Sequence, residues 1–537
     1  MKKTQIIVSA AVMAMSMGMM QAHADAANKT INWTLTGDLK TTDPAKLVDT
    51  ISQDTVINTG EGLYRVNAKG KAELAAAKSV KVSADGLKWT FTLRNNLKWS
   101  NGKSITAADF VYGWQRTNDP VTASGTAPIF YTGIKNDIAI QQGKAAVSSL
   151  GIKADGDHKL VVTLDHPMPQ LKAELSFVGF FPQNKAFIEK TGSTYGSTAA
   201  KSISSGPYIL KNWNGNDTAY TYVKNPYYWD AKDVKTKKIK IQMVTDATTG
   251  FNLYNSGKVD FTTLSPTQAQ ASKQNKAYKQ TSLAATQYLV MNTENKLLAN
   301  TDVRRAIQYA INRQQLTSKV LAGSGSPAKT YIPAGLVKDP NSGEDFAKAA
   351  ATGVVKYDKK NAAAYWEKGV KAVGDASKNI VIMTDDTDTQ KQAATYIQAQ
   401  LEANLKGLKV TIKSVANKPQ LAALQSHNFD IAIQTWNADY SDPIEMMNLL
   451  TTGSSYNYGK WSDSDYDKYV TAASTTDANN AKTRFKDLIK AEQIIEKKVG
   501  VVPLNYSSVA SFWRPSVKDV QLNQVGNTFD FKYAVKH

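Results

Sequence analysis

The sequence predicts an α/β protein of two or three domains, mixed and β-rich in its first half and α/β with parallel strands in its second. Three observations predict it. The chain has 537 residues, more than one hydrophobic core accommodates. Strand-type alternation with turn signals dominates the first 260 or so residues after the leader. A strand–helix–strand unit then stands out in the second half. With 42% apolar and 21% charged residues, the composition is that of an ordinary globular protein.

The first residues stand apart. Lys2 and Lys3 precede an apolar run from Ile6 to Met20, and Ala22-His23-Ala24 then offers the small residues a signal peptidase accepts. The run is about 15 residues, short of the roughly 20 that a membrane span needs. Residues 1–24 are therefore expected to be a cleaved signal peptide, and the remainder an exported, soluble protein.

In Lys88-Trp89-Thr90-Phe91-Thr92-Leu93-Arg94, apolar and polar residues alternate as in a strand with one buried face. Asp85-Gly86 before it is a turn signal. Asp155-Gly156-Asp157 stands in the same relation to a second run, Leu160 to Leu164. Further on, a helix is expected from Asp302 as N-cap, with Val303, Ala306, Ile307, Ala310 and Ile311 as its apolar stripe. Gly323-Ser324-Gly325-Ser326-Pro327 reads as a surface turn. Asn379 to Met383 reads as a buried strand, and about Thr389 to Lys406 as a helix with Ala394, Ile397, Leu401 and Leu405 on one face. Gly407 closes that helix, and Leu408, Val410 and Ile412 alternate as a second strand. Strand, helix and strand in roughly 35 residues make a βαβ unit. No Pro- or Ser-rich linker marks a boundary, as expected where strands cross directly between domains.

Several chemistries are excluded. There is no cysteine, so disulfides, thiol catalysis and cysteine metal sites cannot form, nor can a lipid anchor on a leader cysteine. His158, His166, His427 and His537 have no partner at metal-binding spacing. No nucleophile elbow, phosphate loop or dinucleotide fingerprint occurs. Asp439 and Asp442 are a carboxylate pair of the kind glycosidases use, but nothing else supports catalysis, so the chain reads as a non-enzyme. The net charge of +19 suggests attraction to polyanions. The basic residues are dispersed and form no nucleic-acid module, so nucleic acid is not expected as a partner.

A resemblance emerges from longer stretches. Glu61-Gly62-Leu63-Tyr64, Ala84 to Arg94, Lys98-Trp99-Ser100-Asn101-Gly102-Lys103 and Thr106 to Tyr112 occur in this order. Ser205-Gly206-Pro207-Tyr208, Asn225-Pro226-Tyr227-Tyr228-Trp229-Asp230, Asp302 to Ile307 and Trp436-Asn437-Ala438-Asp439-Tyr440 follow. Together they resemble the peptide-binding components of ABC importers, oligopeptide-binding proteins in particular, over nearly the whole mature chain.

The resemblance implies a two-lobed fold like that of periplasmic binding proteins, closing on its ligand about a hinge. Lobe I would comprise residues 25–65, 200–291 and 504–537, with a β-rich accessory domain, 66–199, inserted in it. Lobe II would be 292–503. The crossing strands would lie near Tyr288–Asn292 and Val501–Tyr506. The ligand would be a peptide, its α-ammonium paired with Asp439, and Trp436, Asn437, Ala438 and Tyr440 would adjoin it. Taken without the resemblance, Asp439 reads instead as the cap of a turn before Pro443. The implied partners are the peptide and the membrane permease domains of an importer, and the protein would act as a monomer without cofactor or metal. Members from single-membrane bacteria usually carry a lipid-anchor cysteine, and this chain does not. A periplasmic or wall-associated protein is expected. Two alternatives stay open: a non-peptide ligand such as a metal chelate, haem or opine-like molecule on the same scaffold, and a basic adhesin for surface polyanions.

Overall fold

In a computed structural model of the protein, residues 29–537 are described apart from 48, 68–69, 128–130, 132 and 526–528. The expected signal peptide lies outside the described residues. Near the chain start, Ile31–Leu35 pairs in parallel with Lys238–Met243, and Ala219–Lys224 and Tyr208–Lys211 complete a four-stranded sheet. The chain end packs on it: Val517, Phe529 and Phe531 share a core with Trp33, Tyr208 and Tyr222.

The alternating run becomes strand Lys88–Leu93, with Trp89, Phe91 and Leu93 buried. It lies between Ala77–Val82 and Lys159–Thr163, with Ile152–Ala154 at the far edge. All these pairings are antiparallel, so hairpins suffice to connect them. The recognisable Lys98–Lys103 stretch serves this folding unit: Lys98 bridges to Ser104 and Trp99 is buried. Thr106 and Asp109 form a capping box on the next helix, Ala107–Asn118.

The βαβ unit of the second half is present. Asn379–Asp385 and Lys409–Val415 pair in parallel around helix Asp388–Asn404. Ala394, Ile397, Leu401 and Leu405 are fully buried. Each of the three larger ones contributes about 1.5–3 kcal/mol by leaving water. Two expectations need correction. The helix Thr301–Ala310 is capped by Asn300, whose side chain accepts from the amides of Asp302 (2.9 Å) and Val303 (3.2 Å). Asp302 lies in its first turn and pairs with Lys368 at 3.0 Å. Gly325–Pro327 is a short strand on the edge of Val502–Trp513, not a free turn. A Cβ on Gly325 would stand 2.4 Å from the Tyr506 carbonyl oxygen, which is why this edge takes a glycine.

Two long strands, Tyr278–Met291 and Val502–Trp513, run antiparallel through a seven-stranded sheet. They extend well beyond the expected crossings. At one end they meet Phe261–Thr263 beside the first sheet, and at the other Ile431–Asn437 beside the βαβ unit. Their ladder is interrupted between Ser282 and Thr286. Within the gap, the Ala284 amide donates to the Gln524 carbonyl and its own carbonyl accepts from the Ala438 amide, each at 2.8 Å.

Charge is buried in the first body. Arg65 holds Asp530 through Nε at 2.7 Å and Nη2 at 2.8 Å, and donates to the Ile57 carbonyl at 2.9 Å. Glu61 accepts from Arg65, from the Tyr228 hydroxyl and from Trp229 Nε1. Lys532 pairs with Asp230 at 2.9 Å. The Glu61–Tyr64 and Asn225–Asp230 motifs thus meet in one structural network.

Carboxyls are also buried elsewhere. On helix Ala481–Lys498, Glu492 accepts from the amides of Tyr331 (2.5 Å) and Ile332 (3.3 Å). Burial pushes it up to about 8 and Glu496 up to about 7; Glu174 is pushed up to about 8 for the same reason. These carboxyls hold protons in the folded state that the unfolded chain releases near its ordinary value of about 4.3. Their contribution is therefore present in mild acid and is lost as pH rises through 7–8. Ligand-free protein should melt at a lower temperature at pH 9 than at pH 6. A melting temperature flat over that range would refute the assignment.

Candidate functional site at the end of strand Ile431–Asn437

The Trp436–Tyr440 motif begins on the last residues of strand Ile431–Asn437 and continues into the loop that follows. Asp442 caps the next helix, Pro443–Asn448, accepting from the Ile444 amide at 3.0 Å and holding Arg484 through two contacts of 2.9 Å. The turn-capping role thus falls to Asp442, and Asp439 is left over. Glu445, in the first turn of that helix, reaches back to shape the loop. It accepts from Trp436 Nε1 (3.0 Å) and from the amides of Asp439 (2.9 Å) and Tyr440 (3.3 Å).

Asp439 itself is half-buried, and among the described residues no group donates to its carboxylate. Its removal from water pushes it up to about 7. Burial, and then the charge of Asp439, raises the Glu445 carboxyl. Two acids are thus held side by side, with no cation paired to either among the described residues.

The other motif residues are placed as follows. Trp436 is half-buried and meets Tyr456 edge-on at 5.7 Å. Tyr440 is buried, and its hydroxyl donates to Glu174, which comes from the first half of the chain. Ala438 has a buried side chain and acts through its amide. Asn437 is half-buried with its Oδ1 unpaired.

Two cavities lie near this segment, though neither is lined by residues 436–440. One of about 820 Å³ lies between Gly125 and a wall including His427, Tyr456 and Trp461. The other, about 740 Å³, sets Lys71 against Lys338, Ser441 and Gln524. Each has walls from distant parts of the chain, as a cleft between lobes requires. Glu445 escaped the sequence reading, although Asp442-x-x-Glu445 has capping-box spacing, which signals a carboxylate folded back on a helix start.

The model of the bacterial extracellular solute-binding proteins, family 5 (middle region), matches residues 71–458. The chain belongs to that family. The dipeptide-binding protein of Lactococcus lactis subsp. cremoris (strain MG1363) is 35% identical over 552 residues, covering 99% of this chain and 100% of that protein. Listeria monocytogenes OppA bound to peptide superposes with a TM-score of 0.82 at 35% identity, over 95% of this chain and 99% of that one. Two structures of the murein tripeptide-binding protein MppA, both 27% identical and both covering 95% of this chain, differ in their fit. The unliganded open form, of which 98% is covered, scores 0.75, while the other, from Escherichia coli and covered to 99%, scores 0.82. This two-lobed α/β solute-binding fold is the one the sequence resemblance implies.

Proposed function

We propose that the protein captures peptides with a free N-terminal amine between its lobes and hands them to the permease domains of an ABC importer. The observation that carries this is the Asp439 carboxylate, half-buried beside a second acid and without a donor among the described residues. Withdrawing an unpaired ion from water costs several kcal/mol. A ligand ammonium restores the balance through a short, charge-assisted hydrogen bond. Related proteins whose names and structures specify dipeptides and bound peptide support the reading.

The strand leading to Asp439 offers a second handle. Asn379–Asp385 pairs with it only at Ile431 and Ala432, and the Ile433 carbonyl accepts from Gln420 and Gln434, so among the described residues the edge without a strand partner runs from Gln434 to Asn437. A peptide held there by its backbone would be accepted with many side-chain sequences. The domain plan given above, with lobe I discontinuous and residues 66–199 inserted, belongs to this proposal, as do the absence of catalysis and an unanchored, periplasmic or wall-associated location.

The test is mass spectrometry of the small molecules that leave the purified protein when it is denatured. A set of peptides with free N-termini is expected. If none appears, even after refolding and exposure to a peptide mixture, the proposal is wrong.

A further inference from the structure

Glu174, on the short helix Leu171–Glu174 of the expected 66–199 insertion, is 1% exposed. Groups from the second half of the chain meet it there. The Tyr440 hydroxyl donates to its carboxyl, and the Asp442–Arg484 pair stands close by. Leu171 and Leu175, on either side of Glu174, belong to the same apolar core as Ile444 and Phe485. Asn479 Nδ2 donates to the Asp85 carbonyl at 3.4 Å, a second bond between the same two parts of the chain.

This contact is not filled like a permanent core. A cavity of about 460 Å³ remains in it, between Trp89, Met168 and Lys172 on one side and Lys338, Asn479 and Phe485 on the other. Permanent interiors leave few voids larger than a water molecule. Glu174 Oε2 is buried without a hydrogen-bond partner, a cost that parting of the two surfaces returns. Polar, incompletely filled interfaces within one chain are those that move. Burial pushes the Glu174 carboxyl up to about 8, so at neutral pH it docks as the uncharged acid.

We propose that Glu174 is a positioning residue for the ligand: by holding Tyr440 it fastens the 66–199 insertion to the loop that carries Asp439 and delays the release of a bound peptide. The inference rests on the peptide reading above and deepens it. A peptide seated on Asp439 between the lobes leaves once they part. Parting breaks the bond to Glu174 from Tyr440, the very next residue. An incoming peptide meets a cleft in which that bond has yet to form, so the bond acts on dissociation and not on association.

Stopped-flow tryptophan fluorescence with di-, tri- and tetra-alanine, all with free N-termini, tests this. Glu174→Ala and Tyr440→Phe should each speed dissociation about tenfold and leave association unchanged, the effect of a buried polar group losing its partner. The double variant should release peptide no faster than either single one, because both remove the same bond. Glu174→Gln keeps an uncharged side chain of the same shape, with a carbonyl oxygen for Tyr440, and should restore slow release. That rescue separates the bond from a general loss of packing. Unchanged release in Glu174→Ala or Tyr440→Phe, additive effects in the double variant, or failure of Gln to rescue refutes the fastening while peptide capture stands. If wild type binds none of the three peptides, both readings fall.

Discussion

Replacing Asp439 with Asn should raise the Kd for peptides with a free N-terminus about 30-fold or more, the effect of removing one partner from a buried charge pair worth roughly 2–5 kcal/mol. The substitution keeps the shape of the side chain and leaves the Asp439 amide on Glu445 in place. It removes only the charge. N-acetylated peptides, which bring no ammonium, should bind weakly to wild type and hardly change in the variant. The pH dependence gives a second signature. With Asp439 pushed up to about 7 in the free protein, pairing with an ammonium must expel a proton below that pH. Wild-type affinity should therefore fall by up to about tenfold per pH unit below 7. It should fall again once the peptide amine, near 7.7–8.0, loses its proton. The Asn variant should lose the acid limb. Equal binding of free and acetylated peptides by wild type would dismiss Asp439 as the amine seat.

The second large effect concerns stability. Arg65→Ala should destabilise the first body by about 3–5 kcal/mol, the range for removing one member of a buried pair. Asp530 loses two donors and Glu61 one, and neither can reach water. Urea unfolding followed by tryptophan fluorescence should show an earlier first transition, since Trp33 sits in the adjoining core. Adding Asp530→Leu should restore part of the loss, because the single change is costly mainly through the anion it strands. An unchanged midpoint in Arg65→Ala would mean that the network contributes nothing to this body.

Periodic segments were legible from sequence. The Lys88–Leu93 strand and the helix carrying Ile397 and Leu401 bury the side chains their spacing predicts, because one apolar face had one place to go. Caps were less legible. Asn300 and Asp302 are both good N-cap residues, and only the backbone shows which amide donors each one faces. At the proposed site, Asp439 is singled out by family resemblance. On composition alone it is another turn aspartate beside Asp442. Which residues of the two long strands face one another, as Gln287 and Asn505 do, could not be foreseen. Strand pairing decides that, and the pairing joins residues more than 200 positions apart.

Ala284 has a consequence for any affinity measured on this protein. Its amide is bonded to the chain end that packs on the first sheet, and its carbonyl to the residue preceding Asp439. On the proposed reading, closure of one lobe on the other would bend the two long strands, and around this alanine their ladder is interrupted. The same residue holds the loop that carries Asp439, the proposed amine seat. Occupancy and interlobe angle would then be linked, and a titration would report intrinsic contact strength scaled by the closed fraction. Residues at this break in the ladder would then set part of the apparent Kd without touching the peptide amine.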